Sequence, residues 1–86
     1  MTIDELAEQN PEALTADGFE DAIIGVTVNH HHPMVVVYDY RKCVEILVSQ
    51  GLTHDDAQEY LSFNSLAAYV GEHGPLYMEK IDHAPP

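Results

Sequence analysis

The hydrophobic pattern of the chain changes period once, sharply, at Asp39. Before it, Met34-Val35-Val36-Val37-Tyr38 is an unbroken apolar run, which reads as a strand buried on both faces or lying under helices. After it, Tyr40, Cys43, Val44, Leu47 and Val48 recur at i, i+3, i+4, i+7 and i+8, the spacing of one buried helix face. Arg41, Lys42, Glu45 and Ser49 take the opposite side. Asp39 itself is an N-cap residue type, able to accept a backbone N–H from the first turn. Gly51 stands where a left-handed C′ residue would end this helix, with Leu52 placed to fold back on Leu47 in a Schellman ending.

Upstream, Ile24, Val26 and Val28 alternate with Gly25 and Thr27, a period of two that predicts a strand preceded by a lead-in from Phe19. Gly25 within it predicts a bulge, or a close approach of another backbone or ring. The polar break Asn29-His30-His31-His32-Pro33 separates this run from Met34–Tyr38 and makes a hairpin the simplest connection. Asp17-Gly18 marks a turn. Residues 1–16 form an arm, weakly helical or mobile: Thr2 is a candidate N-cap, Ile3, Leu6 and Ala7 fall at helical spacing, and Asn10-Pro11 breaks the segment. Asn10 is also placed to cap a short turn over Pro11–Leu14.

Downstream, Thr53-His54-Asp55-Asp56 is an acidic variant of the capping box. It opens a second helix with stripes Ala57, Tyr60, Leu61, Asn64, Ala68 and Phe63, Leu66, Ala67, Val70, ending at Gly71. Its second half is apolar almost all round, which predicts packing between sheet and neighbours. Asn64 in that half needs a hydrogen-bond partner, expected in the loop 71–74. Leu76–Ile81 alternates again and carries Glu79 and Lys80, as an edge strand does. Residues 82–86 read as a frayed tail. The expected architecture is α+β in the order β-β-α-α-β: a three-stranded, mostly antiparallel sheet with two helices on one face, a short weak N-terminal helix, and one domain over residues 17–81.

Charge narrows the possible partners. The 86 residues carry fifteen Asp and Glu against three Lys and Arg, a net charge of −12. Residues 1–38 contain seven acids and no Lys or Arg. Direct binding to nucleic acid needs clustered cations and is not expected. Docking on a basic protein surface is, although the same acids also make an ordinary solvated face. The single cysteine excludes an internal disulfide. Neither a basic-then-apolar leader nor an apolar run of membrane-spanning length is present, so no membrane association and a cytoplasmic location are expected.

Candidate chemistry is sparse. His30, His31 and His32 are adjacent, and in an extended segment only His30 and His32 share a face. They make a metal-binding loop a second reading, which would need a further ligand such as His54, His73 or a carboxylate. Protonating all six histidines moves the charge only to −6, so the chain stays acidic. Cys43 falls on the buried helix face and reads as a core thiol rather than a nucleophile. There is no Gly-x-Ser-x-Gly elbow, phosphate loop or His-Glu-x-x-His pattern. The acids occur in pairs, but adjacency alone does not make an acid/base couple. The chain is read as a non-enzyme without a cofactor. Its five tyrosines, Tyr38, Tyr40, Tyr60, Tyr69 and Tyr77, suit a small core and an interface equally well.

From about Asp17 to Tyr77 the chain resembles small uncharacterised acidic proteins encoded by bacteriophages and prophages. The resemblance rests on Asp17-Gly18-Phe19, Ala22-Ile23-Ile24-Gly25-Val26, Tyr38-Asp39-Tyr40, Lys42-Cys43-Val44-Glu45-Ile46-Leu47, Ala57-x-Glu59-Tyr60, Phe63-Asn64 and Ala68-Tyr69-Val70-Gly71-Glu72. It implies a host-cell setting in which such proteins inhibit or modulate nucleic-acid-handling or defence machinery, a CRISPR effector being one example. With the charge, the expected function is a binding protein that meets a basic surface of a host protein through Glu20, Asp21, Asp55, Asp56 and Glu59. A self-associating structural part, using the third strand or the tyrosines, is a further alternative, and the oligomeric state stays open.

Overall fold

A computed structural model describes residues 1–28, 31–63 and 71–81. Three helices, α1 (Ile3–Gln9), α2 (Tyr40–Ser49) and α3 (His54–Leu61), accompany three strands, β1 (Ile23–Val26), β2 (Val36–Asp39) and β3 (Leu76–Met78), with a 3₁₀ turn over Glu20–Ala22 leading into β1. The architecture is α+β in the expected order, with the short N-terminal helix present. β2 is the central strand, and β3 is an edge strand as its composition implied. The sheet is mixed: β1 pairs antiparallel with β2, and β3 pairs parallel with β2. A parallel partner requires a long crossover, and the connection bearing α2 and α3 supplies it.

Each helix starts at the residue whose side chain can cap it. Thr2 Oγ1 accepts the Glu5 N–H at 3.2 Å, Asp39 Oδ1 the Lys42 N–H at 3.3 Å, and Thr53 Oγ1 the Asp56 N–H at 3.1 Å. These bonds satisfy donors that a helix N-terminus otherwise leaves open. α2 ends in a Schellman motif: Leu52 N–H reaches Leu47 O at 3.3 Å and Gly51 N–H reaches Val48 O at 3.0 Å. Gly51 holds φ +108°, where a side chain would be strained.

The core gathers one residue set from every element. β2 turns Val36 and Tyr38 inward, α2 contributes Cys43, Val44 and Leu47, α3 contributes Ala57 and Leu61, and the lead-in to β1 contributes Phe19 and Ala22. Each large apolar side chain so enclosed contributes about 1.5–3 kcal/mol against exposure. The arm joins them, since Leu6 of α1 is buried in the same cluster. Tyr77 of β3 stacks on Tyr38, with ring centroids 5.5 Å apart.

Two expected stripes shift by a residue. In β1, Ile23 pairs with Tyr38 and Gly25 with Val37, so Ile24 is the extra residue of a bulge. The bulge breaks the alternation: Ile23 and Val26 pack on the core, while Ile24 and Val28 face outward. A side chain built at Gly25 would meet open space, so the bulge is the feature there, not a close approach. In α2, Val48 is exposed and Ile46 packs on the core in its place. The expected helical stretch through Asn64–Val70 and the tail 82–86 lie outside the described residues.

Candidate functional site

The chain's three Lys and Arg residues lie together at the junction of β2, α2 and β3. Arg41 Nη2 is 3.4 Å from Glu79 Oε1, Lys42 Nζ is 3.8 Å from Glu45 Oε2, and Lys80 Nζ is 3.9 Å from Asp39 Oδ2. Asp39 thus caps α2 with one oxygen and meets Lys80 with the other. Every cation in these pairs is solvent-exposed, so each pair contributes little stability, about 0–1 kcal/mol. Their consequence is for the surface: every Lys and Arg is already engaged beside an acid.

The five acids expected to meet a partner fall into two sets. Glu20 and Asp21 open the 3₁₀ turn. Glu20 Oε1 accepts the Gly18 N–H at 3.3 Å. Asp21 shares a shallow depression of about 380 Å³ with Asp39, Lys42 and Lys80, so this set borders the cationic corner. Asp55 and Asp56 occupy the first turn of α3, where the helix dipole favours negative charge, and Glu59 follows one turn later. α3 carries no Lys or Arg. Among the described residues, no ion pair engages Asp55, Asp56 or Glu59, and no hydrogen bond or ion pair joins the two sets.

α3 also presents aromatic side chains that its periodicity had assigned to buried stripes. Tyr60 is 45% exposed and Phe63 73% exposed, whereas Ala57 and Leu61 face the core. A short helix packed on α2 buries only the Ala57–Leu61 edge, which leaves Tyr60 and, just past the helix end, Phe63 on the surface. Of the other tyrosines, Tyr38 is a core residue, Tyr40 and Tyr77 are half-buried and pack against the core, and Tyr69 lies outside the described residues.

The polar centre that sequence reasoning missed joins the arm to the loop before β3. Asn10 is buried, and its Nδ2 donates to Met34 O at 2.7 Å and meets His73 Nδ1 at 3.1 Å, while its Oδ1 accepts the Glu12 N–H at 3.3 Å. The two backbone partners orient the amide, so His73 Nδ1 must accept. The ring proton then sits on Nε2, which donates to Glu12 Oε2 at 3.0 Å. Leu14 N–H adds a bond to His73 O at 3.0 Å. The Asn10-Pro11 break signalled a turn at Asn10. Nothing local marked its partner, which is 63 residues away.

His30 lies outside the described residues, and His32 lines an apolar cavity of about 390 Å³ with Pro33, Val35 and Leu76. Among the described residues, no group of three or more His, Cys, Asp or Glu is placed to hold a metal ion. Cys43 is fully buried, and its thiol is pushed up to about 11, first by burial and then by the Asp39 charge. At neutral pH it is a neutral core thiol. No helix among the described residues is long and apolar enough to cross a membrane. Comparison with protein-family models, curated proteins and solved structures finds no match to this chain.

Proposed function

We propose that the chain is a non-enzymatic binding protein that docks an acidic surface on a basic surface of another protein. The observation that carries this reading is the commitment of Arg41, Lys42 and Lys80 to acids at one corner, which leaves Asp55, Asp56 and Glu59 on a helix that has no ion pair among the described residues. Uncompensated carboxylates on an ordered scaffold favour a cationic partner and steer its approach. The resemblance read in residues 17–77 to phage and prophage proteins favours, as partner, a host nucleic-acid-handling or defence protein such as a CRISPR effector, met in the host cytoplasm. Such a partner uses its basic surface for nucleic acid, and an acidic protein on that surface inhibits by occupying it.

The test is affinity purification from host cells followed by a salt series on the captured pair. Affinity should fall steeply between about 0.05 and 0.5 M salt, because screening shortens to a few ångströms over that range. Affinity indifferent to salt would refute docking through charge.

A further inference from the structure

We infer that the outer face of α3 is an arginine-reading surface, in which Tyr60 and Phe63 stack on guanidinium groups that Asp56 and Glu59 attract. This rests on the acidic-docking reading above and says which acids anchor the partner and which cation they select.

The placement follows from helical spacing. Ala57 and Leu61, four residues apart, are fully buried and define the inner edge of the helix. Asp56, Glu59, Tyr60 and Phe63 are spaced by three, four and seven residues. Asp56, Glu59 and Tyr60 thus lie on one side of α3, Phe63 follows two residues past its end, and all four are exposed. Each carboxylate precedes an aromatic ring by four residues, Asp56 before Tyr60 and Glu59 before Phe63. Exposed aromatic rings of this size mark interaction surfaces more often than isolated exposed aliphatics do.

Charge complementarity names the occupant. This surface bears carboxylates and no cation, so the matching segment is cationic. The rings then discriminate between cations. A guanidinium is planar and weakly hydrated, so it can lie flat on an aromatic face while its N–H groups reach a carboxylate. An ammonium is compact, strongly hydrated and has no plane to stack. The Glu20–Asp21 set lacks this pairing, since its depression already holds Lys42 and Lys80.

The test uses the full chain with two probes, oligoarginine and oligolysine peptides of equal length, titrated at fixed moderate salt. Oligoarginine should bind about fivefold or more tightly than oligolysine. The double variant Y60A/F63A should bring oligoarginine down to the oligolysine affinity. Y60L/F63L, which keeps apolar bulk without a ring, should do the same, and thermal melts of both variants check the fold. D56N/E59Q should weaken both peptides and flatten their salt dependence, and should do so more than E20Q/D21N, whose acids already border Lys42 and Lys80. Equal binding of the two peptides, or full oligoarginine affinity in Y60L/F63L, would overturn the arginine-reading inference. If D56N/E59Q still weakened both peptides, the acidic-docking reading would survive that result. Peptide affinities unaltered by either acid variant would count against both.

Discussion

The hydroxyl of Tyr38 accepts the backbone N–H of Ala16 at 2.8 Å. One fully buried ring thereby serves the central strand and the arm together, while its face stacks on Tyr77. Burial raises the Tyr38 hydroxyl above its ordinary value, and the Ala16 bond opposes part of that rise. Y38F keeps the stack and strands the Ala16 donor. It should cost about 1–3 kcal/mol in denaturant unfolding without altering the far-ultraviolet circular dichroism.

Asn10 should matter more than its place in a short arm suggests. N10A leaves the part-buried Met34 carbonyl and the His73 ring nitrogen without their donor, at a cost of about 1–3 kcal/mol. Nitrogen NMR should show His73 as the Nε2–H tautomer in the parent and a mixture of tautomers in N10A. A mixture already present in the parent would contradict the assigned network.

Alkaline pH should destabilise the fold. Cys43 is raised by burial from an ordinary 9.0 to about 11, and Tyr38 is also raised, mainly by burial. The unfolded chain releases these protons first, so stabilisation that is complete below about pH 9 is lost as pH rises through about 11. Urea midpoints measured from pH 7 upward should fall across that window. In C43A the fall should be shallower, even if the variant is less stable overall.

Gly51→Ala places a side chain at φ +108° in the Schellman turn. There is open space around the position, so the penalty is backbone strain alone, about 1 kcal/mol. A melting temperature unchanged by this substitution would mean that the turn relaxes.

Local physics made much of the fold legible. Thr2, Asp39 and Thr53 announce their helices because a cap is a contact within one turn, and Gly51 with Leu52 announces the end of α2 for the same reason. Gly25 flagged the bulge but not its consequence, since one extra residue reassigns every neighbour to the other face. The direction of β3 and the Asn10–His73 pairing depend on distant segments and leave no local periodicity. The acids were identifiable as a composition. Their division into a set beside Lys42 and Lys80 and a set on α3 depends on where the chain folds its few cations. Tyr60 and Phe63 were misplaced because a helical stripe shows which residues share a side, not how wide a neighbour covers it.

The docking of the arm has a consequence for the order of events in folding. The groups that hold α1, Met34 and His73, lie 24 and 63 residues downstream of Asn10. The helix is too short to persist alone, so it can be seated only after the segment through His73 has been made. Loop closure over such a span slows the step that completes the core. Fusions and truncations at the N-terminus should therefore register first in the refolding rate, as a slower final phase in stopped-flow traces.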